Sequence, residues 1–298
     1  MNVVGIVARF PPPLGGVSVY ADRRLNQSID NEVTKKIDLG SFSSILNLIF
    51  GNFSIYEVHS LNIKLVLFLT LFGKSKRCIF YDHNASRHFS GMKKKLLLYF
   101  LKGSFGIKVV NEKLISFYSP IKEAVNVEVF IPFIPPRIAD EEKIIETYDK
   151  DVRSFVDNGS FWINSAWRYI PCSNGLDLYG ISTSLELLSV YRSERLLLAI
   201  PEYESEKLPS NVLNMIKSFQ KQGRLCLLVG QKQLWPLFRH AKLFFRLTST
   251  DGDSVSVREA LFLGCSVIAS DVVVRPDGVE TYQYNSFDDL VRCINLAK

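Results

Sequence analysis

The chain has 298 residues, 47% of them hydrophobic, with a mean hydropathy of +0.09, enough to bury a sizeable core and to fill two domains. Lysine and arginine (36) outnumber aspartate and glutamate (30), and the net charge of +6 suits an anionic partner without choosing among nucleotide, phospholipid and nucleic acid. Cys78, Cys172, Cys226, Cys265 and Cys293 are widely spaced, and no Cys-x-x-Cys pair occurs, so neither a disulfide framework nor a zinc site is indicated and a reducing compartment is expected.

In chain order, Val3 to Val7 reads as a strand, and the N-terminus lacks the basic-then-apolar pattern of a signal peptide, so the expectation is a cytoplasmic protein. A proline-stiffened loop from Arg9 ends in Gly15 and Gly16, which open a helix over Val17 to Leu25. Glycine permits positive φ and close backbone approach, so this turn is a candidate cradle for phosphate or sugar, or else a βα turn that needs glycine for geometry alone. A strand follows at Ile55 to Val58 and a helix at Ile63 to Phe72. Its apolar part, Leu65 to Phe72, is far short of the roughly 20 residues of a spanning helix and is bracketed by Lys64 and Lys74, so no membrane crossing is expected.

The strand Cys78 to Tyr81 leads into Asp82-His83-Asn84, which places His83 at a strand's C-terminal end, where α/β sheets gather ligand-binding residues. His59, His88 and His240 are weaker candidates, and no spacing supports metal ligation by any of them. Lys93, Lys94 and Lys95 then precede the apolar run Leu96 to Leu101. A cationic start on an apolar helix suits an anionic membrane surface, and it also suits a core helix with a basic first turn. The strand Ile107 to Val110 completes an alternation of strands and helices that argues for parallel βαβ units.

The run Phe130 to Pro136 and the charged stretch Asp140 to Arg153 break this pattern, which sets a boundary between domains 1–136 and 137–298. The second half resumes with strands at Phe161 to Asn164, Leu196 to Ile200, Leu225 to Val229 and Leu243 to Phe245, and a helix near Val212 to Gln222. The segment Arg246 to Gly264 carries the strongest signal. Asp251 and Glu259 stand eight residues apart around a helix start that Ser254 caps, with Val255, Val257, Ala260, Leu261 and Leu263 on its buried side and Gly264 closing it before the strand Cys265 to Ala269. A helix N-terminus offers free amides and a positive dipole end, so the turn Asp251-Gly252-Asp253-Ser254 suits phosphate. Side chains tilt toward the helix N-terminus, so Glu259 leans back and the two carboxylates are expected to face one phosphorylated ligand. Both are expected to be exchangeable for amides without loss of the fold.

This segment, continued through Ser270-Asp271 and Arg275-Pro276-Asp277-Gly278, resembles the donor-sugar signature of retaining family 4 glycosyltransferases of the bacterial surface-polysaccharide type. The resemblance implies a GT-B fold, α/β, with two Rossmann-like domains facing across a cleft, the first binding the acceptor and the second the nucleotide sugar. It implies that Asp251, where the family more often has glutamate, contacts the transferred sugar and that Glu259 holds the ribose. It adds a donor role for Gly15, Gly16, Gly252, Asp253 and Ser254 and a positioning role for His83 beside the acceptor. Family members also present an arginine and a lysine to the donor diphosphate. The matching region reads Asn164-Ser165-Ala166-Trp167-Arg168-Tyr169 and then Gly175-Leu176-Asp177, so Arg168 stands for the arginine, the lysine has no counterpart, and Arg246 or Arg275 are the candidates to compensate.

The implied function is transfer of a sugar, with retention, from a nucleotide-sugar donor to a glycan acceptor, expected to be lipid-linked, at the inner face of the plasma membrane, where Lys93, Lys94 and Lys95 would dock. O-antigen and lipopolysaccharide synthesis are the pathways of that type. The donor is a substrate, so no cofactor is expected, and no metal. Asp251-Gly252-Asp253 also reads as the Asp-x-Asp metal pair of GT-A transferases. A non-catalytic GT-B partner subunit is a further alternative. Nucleic-acid binding is permitted by the charge, but no aromatic-basic motif supports it.

Overall fold

The computed structural model describes residues 2–172 and 176–297, the side chains of Phe42 and Ile45 apart. The chain forms two compact units, Met1–Ile134 and Pro135–Lys298. The first carries β1 (Asn2–Ala8), β2 (Glu32–Asp38), β3 (Ile55–Val58), β4 (Cys78–Asp82), β5 (Gly106–Val109) and β6 (Asn126–Val129), with helices α1 (Gly16–Leu25), α2 (Phe42–Phe50), α3 (Ile63–Leu71), α4 (Gly91–Leu101) and α5 (Ile115–Tyr118). All its pairings are parallel, in the order β2-β1-β3-β4-β5-β6.

In the second unit α6 (Glu141–Ile145) and α7 (Lys150–Asp157) precede β7 (Phe161–Ser165), α8 (Ile181–Val190), β8 (Leu196–Ile200), α9 (Ser210–Lys221) and β9 (Leu225–Val229). Then come α10 (Trp235–Phe238), β10 (Ala241–Arg246), α11 (Val255–Phe262), β11 (Ser266–Ser270), β12 (Val279–Tyr282) and α12 (Phe287–Leu296). The sheet is again parallel, in the order β12-β11-β10-β7-β8-β9, which is the Rossmann order 3-2-1-4-5-6 read from the other edge.

Strand residues alternate between the two sheet faces, which explains why these strands are apolar throughout. Trp162, Leu196, Leu198, Leu243 and Phe245 pack on one face with Leu185, Ile216 and Leu290 of α8, α9 and α12. Phe161, Ile163, Leu197, Phe244 and Val267 pack on the other with Val152, Trp235 and Ala260 of α7, α10 and α11. Each of the fully buried leucines and phenylalanines contributes about 1.5–3 kcal/mol relative to exposure.

Several elements depart from the sequence reading. The charged stretch at the domain boundary, to which no element was assigned, holds α6 and the start of α7, because Val152 and Phe155 bury one face of α7 and Arg195 stacks on Phe155 at 3.8 Å. The strands β2, β6 and β12 and the helices α2, α8 and α12 were not anticipated. The opening of α8 depends on Gly180, at φ +65°, where a Cβ would lie 2.4 Å from Leu247 Cβ. That contact seats the helix against the loop that leaves β10.

Candidate functional site

Ligands of doubly wound sheets gather outside the strands' carboxyl ends, where the strand order reverses. In the first unit the reversal falls between β1 and β3, and in the second between β7 and β10. The predicted residues sort onto these two places.

Gly15 and His83 belong to the first. The residue after Gly16, Val17, lines a cleft of about 360 Å³ together with His59, Asn62, Tyr81, His83 and Arg87. His83 follows β4 on a turn that Asp82 pins: this buried carboxylate accepts from Tyr118 Oη (2.8 Å) and from the Ser86 amide (3.2 Å). His59 follows β3, held by its own amide donating to the Val7 carbonyl (2.8 Å). The two imidazoles meet, His59 Nδ1 to His83 Nε2, at 3.0 Å. Tyr20, Tyr81 and Phe130 surround the pair, with Tyr81 4.3 Å from the His59 ring and Phe130 edge-on to His83 at 5.5 Å. Burial pushes His83 down to about 4, and burial, His83 and the Arg24 charge together hold His59 well below the usual histidine range. Both rings are therefore neutral near pH 7.

Behind them Arg24 of α1 grips Glu57 through Nε and Nη2 (3.0 and 2.8 Å) and Glu32 through Nη2 (2.6 Å). This ion cluster and His59 as a partner of His83 are what sequence reasoning missed. A signal existed for His59, which follows its strand directly, as His83 does. The glycine turn departs from expectation. Gly15 has φ −131°, Gly16 is not among the positive-φ residues, and the Gly15 amide donates to Ser18 Oγ (2.9 Å), so this amide is taken within the turn rather than held open for phosphate.

The second place gathers Arg246, Asp251, Gly252, Asp253 and Ser254, with Glu259 one turn further along α11. Arg246 ends β10 and meets Asp251 with both fork nitrogens (2.9 and 3.0 Å), while Arg275 adds Nη1 to Asp251 Oδ2 at 2.8 Å and binds the Ser270 carbonyl through Nε at 2.9 Å. The Asp251 side chain is 8% exposed and that of Arg275 3%, and the two guanidiniums hold the carboxyl below its usual range despite burial. Both candidates for compensating the absent lysine are thus tied to Asp251. Replacing this carboxylate with an amide would leave two guanidiniums without their counter-charge, so the exchange at Asp251 carries a structural cost. The Gly252 amide donates to Asp251 Oδ1 (3.1 Å), and Asp253 binds Arg258 through two contacts (2.7 and 2.6 Å).

Ser254 is the N-cap of α11 but makes no side-chain cap bond; its hydroxyl instead meets Ser256 Oγ at 3.0 Å, a second correction. Glu259 is 7% exposed in the second turn, and its charge, after burial and Glu141, raises the Tyr148 phenol, which places it near the segment between α6 and α7. Arg168, after β7, is exposed and sits 3.4 Å from Glu202 Oε2. The neighbouring N-terminus of α8 is occupied by Asp177, which accepts from the amides of Ile181 and Ser182 (both 2.8 Å). Gly175 lies outside the described residues. Two cavities of this unit, of about 80 and 290 Å³, are lined by Asp177, Leu247 and Tyr282 and by Ser266, Gly278 and Glu280, and Asp251 lines neither.

The lysine cluster on α4 is divided. Lys93 and Lys95 are exposed, whereas Lys94 lies over the Phe117 ring at 4.4 Å. Beside them Met92, Leu96 and Tyr99 form an exposed apolar stripe at helical spacing. No helix among the described residues is long and apolar enough to cross a membrane.

No protein-family model matches the sequence, and a search of curated proteins finds no match. Solved structures do match. HepE from Anabaena, in complex with UDP and glucose, is 10% identical, with 99% of this chain and 89% of that chain covered and a TM-score of 0.64. An alpha,alpha-trehalose-phosphate synthase (UDP-forming) from Burkholderia vietnamiensis is 10% identical over 100% and 89%, with a TM-score of 0.61. WaaG, a glycosyltransferase involved in lipopolysaccharide biosynthesis, is 10% identical over 99% and 90%, with a TM-score of 0.56. Likeness at this level establishes architecture: the chain has the GT-B fold of two Rossmann-like domains.

Proposed function

We propose that this protein is a glycosyltransferase that moves a sugar from a nucleotide-sugar donor to a glycan acceptor. The observation that carries the reading is the placement of Arg168, Arg246, Asp251 and the start of α11 around the β7/β10 reversal of a Rossmann-ordered sheet. Two of the similar structures hold or release UDP by their own descriptions, which supports a uridine diphosphate sugar as the first donor to test. In this reading Arg168, exposed and 3.4 Å from the Glu202 carboxylate, meets the diphosphate and stabilises the leaving charge. Asp251 and Glu259 select the donor's sugar and ribose, His83 orients the reacting group in the first domain, and the transferred sugar keeps its configuration. The metal-free form of the reaction is favoured over the Asp-x-Asp reading because Asp251 and Asp253 already bind guanidiniums. The acceptor in this proposal is lipid-linked, in surface-polysaccharide synthesis, met at an anionic membrane through Lys93, Lys95 and the stripe Met92, Leu96 and Tyr99.

The test is thermal stabilisation by a panel of nucleotide sugars, followed by donor hydrolysis. A true donor at a hundredfold excess over its Kd should stabilise by about 2.7 kcal/mol. No shift with any nucleotide or nucleotide sugar would overturn the assignment. One observation favours a second reading: Asp251 is occupied by Arg246 and Arg275, as in a domain that keeps the fold but not the chemistry. Binding without hydrolysis or transfer would select that non-catalytic subunit.

A further inference from the structure

A neutral imidazole carries one ring proton, so a 3.0 Å contact between two neutral rings contains a single shared N–H. Two arrangements satisfy it. If His59 Nδ1–H donates, His83 must carry its proton on Nδ1 and His59 Nε2 bears a lone pair. If His83 Nε2–H donates, His83 Nδ1 is bare and His59 Nε2 carries a proton. The surroundings decide between them. His59 is 5% exposed, and its Nε2 has no hydrogen-bond partner among the described residues; the same holds for the buried Nη1 of Arg24, a donor in the ion cluster beside it. A lone pair on His59 Nε2 is complementary to the Arg24 charge that acts on this ring, whereas a proton there would add a second buried donor without a partner. Unsatisfied acceptors are also tolerated more readily in interiors than unsatisfied N–H groups. No other ring turns the balance: Tyr20, Tyr81 and Phe130 pack on the pair, and Glu57 and Glu32 are committed to Arg24.

We propose that His59 is a positioning residue that donates Nδ1–H to His83 Nε2, fixing His83 as its Nδ1–H tautomer so that it offers the cleft a hydrogen-bond donor. Among the described residues His83 makes no other hydrogen bond, and it lines the cleft, so the group it receives is an oxygen acceptor, such as a sugar hydroxyl or a phosphoryl oxygen. His83 then polarises or orients that oxygen and does not withdraw a proton from it. The tautomer is a property of the folded protein alone; only its use on a sugar rests on the transferase reading.

The experiment is two-bond 1H–15N correlation NMR of the full chain, labelled on histidine nitrogens, at neutral pH, with resonances assigned through His59→Leu and His83→Gln. The expected spectrum shows His83 protonated on Nδ1 in the wild type and switched to Nε2 in His59→Leu. His59→Asn, which keeps an N–H near the Nδ1 position, should keep the wild-type tautomer of His83. A wild-type His83 protonated on Nε2 overturns the proposal without recourse to any variant, as does a tautomer unchanged in His59→Leu or switched in His59→Asn. Failure of donor binding in the thermal assay with this tautomer intact would instead remove the transferase reading and leave the positioning role standing.

Discussion

The two units use the same topological position in opposite electrostatic styles. At the β1/β3 reversal a neutral pair of imidazoles among aromatic rings forms the centre of a cleft to which Arg87 adds one cation, and the Arg24, Glu57 and Glu32 charges are paired with one another. At the β7/β10 reversal the charges are the site itself, with Asp251 clasped by Arg246 and Arg275 and Asp253 by Arg258. The first arrangement directs hydrogen bonds and leaves the ligand to bring charge. The second holds a loop rigid by ion pairs and keeps a surplus of guanidinium beside a helix start, which suits a ligand that is already anionic.

Replacing Asp251 separates these styles most strongly. Asp251→Ala leaves two buried guanidiniums without their carboxylate, a change that costs about 3–5 kcal/mol, or roughly 10 °C in Tm for a unit of this size. His83→Asn removes one hydrogen bond between neutral groups and should cost about 1 kcal/mol. Calorimetry of both variants measures the contrast. Wild-type melting of Asp251→Ala would show that the ion cluster is not structural, and the two sites would then differ in chemistry but not in rigidity.

The next contrast is surface. The first unit exposes four aromatic side chains, Phe50, Phe72, Tyr99 and Phe105, while the second exposes one, Phe262, among the described residues. Each near-surface lysine contributes about 1 kcal/mol on an anionic leaflet, so Lys93→Gln with Lys95→Gln should weaken partitioning by roughly thirtyfold, and high salt should mimic it. Lys94→Gln, whose cation is spent on Phe117, should change it far less. Co-sedimentation with anionic vesicles reads all three proteins; equal binding by wild type and double variant assigns the stripe to another partner.

What the sequence made legible follows the burial of each strand. Every interior strand of both sheets was recognisable as an apolar run, because interior parallel strands are covered on two faces. Those that escaped, β2 (EVTKKID), β6 (NVEV) and β12 (VETY), are all edge strands, whose mixed polar pattern protects an open edge and erases the apolar signal; β9 (LCLLV) is an edge strand that stayed apolar and was found. What local pattern made legible is placement along the chain, with Asp251 and Glu259 on either side of the start of α11 and His83 directly after β4. The pairing of His59 with His83, and of Arg275 with Asp251, spans 24 residues in each case and depends on strand order, which no local pattern encodes.

Acid should part the two units by the sign of their shifts. His59 and His83 are held neutral in the folded protein, with His83 pushed down to about 4, while in the unfolded chain they take up protons near 6.5. As the pH falls from 6.5 toward 4 the unfolded state binds more protons, so each ring withdraws up to about 1.4 kcal/mol of stability per pH unit from the first unit. Asp251 is depressed below 3.8, so its contribution is complete above that value and is lost only as the pH falls further. Trp162, Trp167 and Trp235, the chain's three tryptophans, all lie in the second unit, so indole fluorescence follows that unit while far-UV circular dichroism follows both. Urea unfolding at pH 5 should therefore show a dichroism phase moved to lower denaturant than at pH 7, with the fluorescence midpoint nearly fixed. Midpoints that fall together would mean that the neutral pair and the ion cluster share one cooperative unit, and the contrast between the two sites would then be one of chemistry within a single folding domain.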